Sequence, residues 1–242
     1  MSIRILPVEG LPEIRPGDDL AALIAELADL EDGDVVCVAH KVVSKAEGRI
    51  VRLADVEPSP QAHELAGPAG DARRLEIVLG EAERIVRSRP PLVIAETRHG
   101  FVCASAGVDA SNAPEPDSVV LLPEDPDASA AELRDELERR TGRRVGVLVT
   151  DTFGRAWRVG IANVAIGAAG IEVLRDLRGQ RDRVGYELHA TVIALADEIA
   201  AAAELAMGKT ERVPVAIVRG LAAAGEGTAR ELVMPRELDL FR

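Results

Sequence analysis

Short apolar runs and amphipathic stretches take turns along the chain. Val35-Val36-Cys37-Val38-Ala39 and Val145 to Val149 are unbroken apolar runs of strand length, the pattern of strands covered on both faces. Shorter runs at Ile3 to Pro7, Arg49 to Leu53, Leu92 to Ala95, Phe101 to Ala104, Val119 to Leu122 and Val213 to Val218 predict further strands. Apolar residues at Leu20, Leu23, Ile24 and Leu27 recur at helical spacing. They predict a helix capped by Asp18 or Asp19 and running through Leu30. Asp71 to Arg87 reads as a charged amphipathic helix ended by Pro90-Pro91, and Glu187 to Met207 as a long Ala-rich helix closed by Gly208. Ser129-Ala130-Ala131-Glu132 has capping-box spacing and opens a helix to Thr141, with Gly142 just past its end.

His40 to Gly48 and Val108 to Asp117 are expected as loops. Residues 57–70 are expected as a turn-rich connection with one helical turn. The irregular alternation of strands and helices predicts an α+β fold of mixed α/β type with mixed sheets. No glycine-rich strand-to-helix turn of the dinucleotide kind occurs, so a Rossmann fold is not expected.

Composition narrows the function classes. Hydrophobic residues make up 47% of the 242 residues and charged ones 29%, the balance of a chain that buries a core. Acidic residues number 41 against 29 basic ones, a net charge of −12, and aromatics are 2%. Such a surface repels phosphate backbones and offers no platform for stacking bases, so no nucleic-acid partner is expected. The longest uncharged run, Val159 to Ile171, is too short to cross a bilayer, and the N-terminal segment MSIRILPVEG lacks the apolar core of a signal peptide. The chain is therefore read as cytoplasmic, with no membrane partner and with Cys37 and Cys103 reduced.

Lysine is scarce. Only Lys41, Lys45 and Lys209 occur, against 26 arginines. A compact ammonium does what a planar guanidinium cannot where a point charge must approach a phosphate, so the three survivors are candidate site residues. Lys41 and Lys45 follow a buried strand, and their spacing would bring them to one face if the segment turned helically. The segment Val147 to Arg155 carries Asp151 and Thr152 at the end of the second apolar strand. Open sheets place ligand sites at such strand ends, and a carboxylate with a hydroxyl is a hard-cation donor pair, although a capped turn has the same residues. Asp109, in Gly-Val-Asp-Ala-Ser-Asn, supplies a second aspartate after a strand; by itself the segment reads as an ordinary surface turn, but two separated carboxylates on one divalent ion is a common way to hold phosphates.

Met207-Gly208-Lys209-Thr210 ends like a P-loop but has Ala203 where the pattern needs glycine, and it follows a helix instead of a strand. A P-loop fold is rejected. A phosphate-facing turn of another build stays open, beside a plain helix end. Asp125-Pro126-Asp127 is assigned a structural role at a helix start, the four histidines share no ligand spacing, and Trp157 reads as a packing anchor in preference to a wall of the site.

Several of these blocks, Ser-Lys-Ala-Glu-Gly-Arg (44–49), Gly-Val-Asp-Ala-Ser-Asn (107–112) and Thr-Asp-Thr-Phe-Gly-Arg (150–155), stand in an order and spacing that resembles the coenzyme F-420-0:L-glutamate ligase (gamma-glutamyl ligase) family. The resemblance also covers LPVEGLPEIRPGDDL (6–20), LLPEDPDASAAELR (121–134), ADEIAAAAELAMGK (196–209) and VPVAIVRGL (213–221). It implies one ligase domain over 1–242 without the nitroreductase-like domain of larger relatives; the length fits one large domain or two intertwined subdomains. The implied reaction adds L-glutamate to F-420-0, first as an amide and then through γ-linkages, by way of an acyl phosphate. GTP is the implied co-substrate, with two manganese or magnesium ions, potassium as a further cation, and a homodimer as the assembly.

Carried onto this chain, the resemblance puts GTP on Leu11, Pro12, Glu13, Ile14, His40, Lys41, Lys45 and Asn112 and on the Met207-Gly208-Lys209 turn. It puts metal on Asp109, Asp151 and Thr152, and the catalytic roles on Asp109, Asp151 and Lys45. Lys209 departs from the pattern, because archaeal members carry there a glutamate that helps bind the second metal. The rival readings are a metal-dependent GTP phosphotransferase or nucleotidase acting on another acceptor, and a nucleotide-binding module without turnover.

Overall fold

The two apolar runs pair in parallel at the centre of a five-stranded sheet. In a computed structural model that describes residues 2–240, the elements in chain order begin with β1 (Arg4–Pro7), α1 (Leu20–Leu27), β2 (Val35–Ala39), α2 (His40–Ala46) and β3 (Ile50–Arg52). Next come α3 (Pro60–Ala66), α4 (Ala72–Glu81), β4 (Ala82–Arg89), β5 (Leu92–Thr97), β6 (Val102–Ala104) and β7 (Ser118–Val120). The last are α5 (Pro126–Thr141), β8 (Gly146–Arg155), β9 (Arg158–Ala169), β10 (Arg175–Asp176), β11 (Val192–Ile193), α6 (Leu195–Met207) and β12 (Val215–Arg219). The main sheet has the order β1-β12-β2-β8-β9, with β2 and β8 parallel and the other pairs antiparallel. The fold is α+β with mixed sheets, as expected.

Both faces of this sheet are covered, which is why β2 and the first part of β8, up to Val149, are apolar. Val36, Val38, Val147, Val149 and Ile217 face one core with Ile24 of α1 and Leu133 and Leu137 of α5. Val35, Cys37, Leu148, Ala216 and Val218 face the other with Leu195, Ile199, Ala203 and Met207 of α6. Alternate residues thus serve opposite layers, as the two-residue period of a strand requires. A third cluster gathers Leu75 and Val78 of α4, Val93 and Ala95 of β5 and Val119 of β7. The sheets β3-β7 and β4-β5-β6 lie in this part of the chain. No helix among the described residues is long and apolar enough to cross a membrane.

Contacts at the start of α5 tie the layers together. Asp125 caps the helix by accepting the Ala128 N–H, while Asp127 Oδ1 accepts the N–H groups of Ala168 and Ala229 at 2.9 and 2.8 Å. A Cβ at Gly167 would lie 2.1 Å from the Pro126 carbonyl oxygen, so only glycine lets β9 pass this close. The structural role expected of Asp125-Pro126-Asp127 is the one found.

Several expectations are corrected. Residues 40–46 form a helix, not a loop; its β-branched Val42 and Val43 are poor helix formers on their own but are buried here. The helix expected over 71–87 ends at Glu81, and Ala82–Arg89 is a strand paired with β5 across two register shifts. Strand pairing there overrides the helix-favouring Glu and Arg residues. α6 starts at Leu195, not Glu187, and α1 ends at Leu27, not Leu30. α3 and the 3₁₀ turn at 67–69 exceed the single helical turn expected over 57–70. The helix start lies at Asp125, before the predicted capping box, and Ser129 Oγ donates to Glu47 Oε1 at 2.5 Å. β8 runs on to Arg155 and turns into β9, and Trp157 at that turn is 79% exposed instead of packed inside.

Candidate active site

A cavity of about 780 Å³ opens where the carboxyl end of β2 and the middle of β8 meet the coil before α1 and the turn after α6. The parallel pairing aligns Ala39, the last residue of β2, with Thr150 in the middle of β8, so the start of α2 emerges beside Asp151 and Thr152. β2 leads directly into α2, which presents His40, Lys41 and Lys45 to the cavity. β8 presents Thr150, Asp151 and Thr152; the coil supplies Leu11 to Ile14, and the turn after α6 supplies Gly208 and Lys209. Asn112 closes one side.

All three lysines of the chain therefore line one cavity. Lys45 is buried, 5% exposed, and ends 2.5 Å from Glu13 Oε1. Lys41 Nζ lies 2.7 Å from Asp109 Oδ2 and donates to Ser111 Oγ at 2.5 Å. Lys209 Nζ donates to Thr152 Oγ1.

The aspartates differ in position. Asp151 lines the cavity and its Oδ1 lies 3.4 Å from His40 Nε2. That ring nitrogen is buried and makes no hydrogen bond among the described residues. Burial pushes the Asp151 carboxyl up, but the His40 ring, the Thr152 N–H and the Lys41 charge together hold it below the usual carboxylate range. Asp109 lies behind Lys41, outside the cavity lining. Burial raises its carboxyl too, and Lys41 and Ser111 overcome this and lower it. Lys41 thus acts on both carboxylates at once.

The sequence did not single out Asn163 and Glu204, which also line the cavity. Asn163 of β9 pairs in register with Thr152. It accepts the Thr152 hydroxyl at 2.9 Å and donates through Nδ2 to Glu204 Oε2 at 2.9 Å. Burial lifts the Glu204 carboxyl above its usual range, although Lys209 and Asn163 pull it down. A lone amide within the apolar run of β9 and an acid set in the last turns of the Ala-rich helix, apart from the two in its first turn, were the legible signals.

The turn after α6 is not a P-loop: it follows a helix and leads to β12. Gly208 has φ of 63° and ψ of −175°, a conformation that favours glycine. Glu211 pins the turn by accepting the Thr210 N–H at 2.8 Å and the Thr210 hydroxyl at 3.1 Å.

The donor set meets the cations implied by the resemblance only in part. Asp151, anionic and at the cavity wall, suits one hard cation. Thr152 Oγ1 is engaged by an ammonium and Asp109 by another. Among the described residues no group of three or more His, Cys, Asp or Glu side chains gathers as a metal cage. Asp151 therefore suits a divalent ion shared with a ligand, while Thr152 Oγ1 and Asp109 are already engaged by lysines.

The family model described as F420-0:Gamma-glutamyl ligase matches residues 10–220. Proteins named coenzyme F420:L-glutamate ligase are similar along their whole length. That of Methanopyrus kandleri is 52% identical over 100% of this chain and 98% of that protein. That of Archaeoglobus fulgidus is 46% identical over 100% and 97%, and that of Methanothermobacter thermautotrophicus 43% identical over 100% of both.

Proposed function

The chain belongs to the F420-0:gamma-glutamyl ligase family, and from that premise we propose that it joins L-glutamate to coenzyme F420-0 at the expense of GTP. What supports the reading is the gathering of three lysines and an anionic aspartate around one cavity in a chain of net charge −12. An acidic protein grips a triphosphate only where local cations reverse its field.

The acceptor carboxylate is a poor acyl donor at neutral pH. Its oxygen attacks the γ-phosphorus of GTP, the bond to the bridging oxygen breaks, and GDP leaves. The glutamate amine then attacks the carbonyl carbon of the acyl phosphate. The C–O bond breaks, inorganic phosphate departs with its electron pair, and the nitrogen loses a proton to solvent. Both steps need charge neutralised on the phosphates and reactants held in line more than they need a covalent partner.

Lys41 and Lys45 face the phosphates, and their pairing with Asp109 and Glu13 fixes the direction in which each ammonium points. Leu11, Pro12 and Ile14 form the wall against which the nucleotide lies, with Asn112 at its side. Asp151 holds a manganese or magnesium ion, which when bound supplies further charge neutralisation on the phosphates. His40, close to Asp151, positions that carboxylate.

The protein acts as a homodimer in this reading. Val159, fully exposed, and the 60% exposed Ile161 share one face of β9 on the projecting β8–β9 hairpin, and a second copy covers them. Val159→Glu with Ile161→Glu then shifts the mass measured by light scattering from dimer to monomer.

Incubation with GTP, manganese, glutamate and F420-0, followed by mass analysis, tests the activity. Successive glutamate additions that require GTP are expected. Release of phosphate from GTP without F420-0 would point instead to a phosphotransferase or nucleotidase, and binding without turnover to a non-catalytic module.

A further inference from the structure

The three lysines stand in different electrostatic positions. Lys41 and Lys45 end on carboxylates. Among the described residues no carboxylate lies within ion-pair distance of Lys209, which ends on the hydroxyl of Thr152. That hydroxyl donates to Asn163 Oδ1, and Asn163 in turn holds Glu204. The ammonium is therefore held in place by neutral groups, with the Gly208–Glu211 turn fixing its stem. Its charge is left for a ligand.

A dication coordinated by Thr152 Oγ1 would sit within a few ångströms of this fixed positive charge, and repulsion at that range is strong wherever water is scarce. The other oxygens within reach are poor substitutes. The Asn163 carbonyl accepts the Thr152 hydroxyl, and the Glu204 carboxylate is tied to the Asn163 amide. Burial also favours the protonated form of Glu204.

We propose that Lys209 is a tethered monovalent cation that takes the place of a second divalent ion at Thr152, so that this chain binds its nucleotide with one divalent ion. The inference rests on the ligase reading above and concerns how the same cavity neutralises the triphosphate. One ammonium replaces one dication, so the loaded site carries one positive charge less than a two-ion site. The single ion belongs to Asp151.

Counting bound manganese tests this without turnover. The folded protein is saturated with a non-hydrolysable GTP analogue and titrated with manganese, and the free ion is read from its paramagnetic resonance signal. The wild type is expected to take up one ion per chain. Lys209→Glu is expected to take up two, and Lys209→Met one, with nucleotide affinity lowered about tenfold by the lost charge contact. Two ions of similar affinity in the wild type would overturn the proposal, as would unchanged nucleotide affinity in Lys209→Met. If the wild type bound neither manganese nor the analogue, the ligase reading would fall together with it; two ions alone would leave that reading standing.

Discussion

Lys41 Nζ lies 2.7 Å from Asp109 Oδ2, and this ion pair joins the first turn of α2 to the loop before β7. The carboxylate that the sequence marked as a metal ligand is thereby occupied by a neighbour that the sequence marked as a phosphate contact. A divalent ion that reaches Asp109 must first displace Lys41, whereas Asp151 faces the cavity directly. The two aspartates are not equivalent, and under the proposed reaction the role of primary metal ligand falls to Asp151.

Lys41→Met keeps the length of the side chain and removes its charge. The KM for GTP should rise about tenfold or more, since a charge-assisted contact of this kind contributes about 1.5–3 kcal/mol. Stability should change by about 1 kcal/mol or less, because the pair is partly exposed. Steady-state kinetics and urea unfolding measure the two.

Asp151→Asn preserves the shape of the site. The Asn side-chain oxygen still accepts the Thr152 N–H, which Asp151 Oδ1 accepts at 2.6 Å. Glutamate addition should fall by about 100-fold or more, the usual cost of removing one group that stabilises developing charge. The melting temperature should stay close to that of the wild type. Product analysis by mass together with a thermal melt checks both.

Arg219→Ala tests the sheet instead of the site. Asp34 is 1% exposed, and the Arg219 guanidinium grips both its oxygens at 2.7 Å, tying β12 to the turn before β2. Without the guanidinium a buried carboxylate keeps only the Glu31 N–H. The loss should be about 3–5 kcal/mol, read from urea unfolding.

Asp197, in the first turn of α6, accepts the Ala165 N–H at 2.9 Å, and burial raises its carboxyl above the usual value. The folded chain then holds that proton more tightly than the unfolded chain. Stability falls as pH rises from the ordinary carboxyl value, about 4, through the raised one. Asp197→Asn does not titrate and keeps an acceptor oxygen. Its melting temperature should exceed that of the wild type at pH 7, and the difference should vanish near pH 4. Thermal melts across that range decide it.

Much of the site was legible because it sits where local sequence is strict. The apolar runs of β2 and β8 announce buried parallel strands, and the residues at the carboxyl ends of such strands face a ligand cleft. Lysine scarcity pointed to Lys41, Lys45 and Lys209, and all three line the cavity. Less was legible where long-range pairing decides. β4 reads as helix from its own residues and becomes a strand only through β5. α2 reads as loop because Val42 and Val43 gain their helical state from burial. Asn163 and Glu204 enter the site through strand register and helix facing, neither of which the chain spells out locally.

The most direct measurement is anomalous diffraction at the manganese edge from crystals grown with a non-hydrolysable GTP analogue. If Asp151 anchors the ion, a manganese peak will lie about 2.0–2.3 Å from one of its carboxylate oxygens, with the triphosphate along Lys41 and Lys45. A nucleotide bound elsewhere, or a manganese peak remote from Asp151, would contradict that placement.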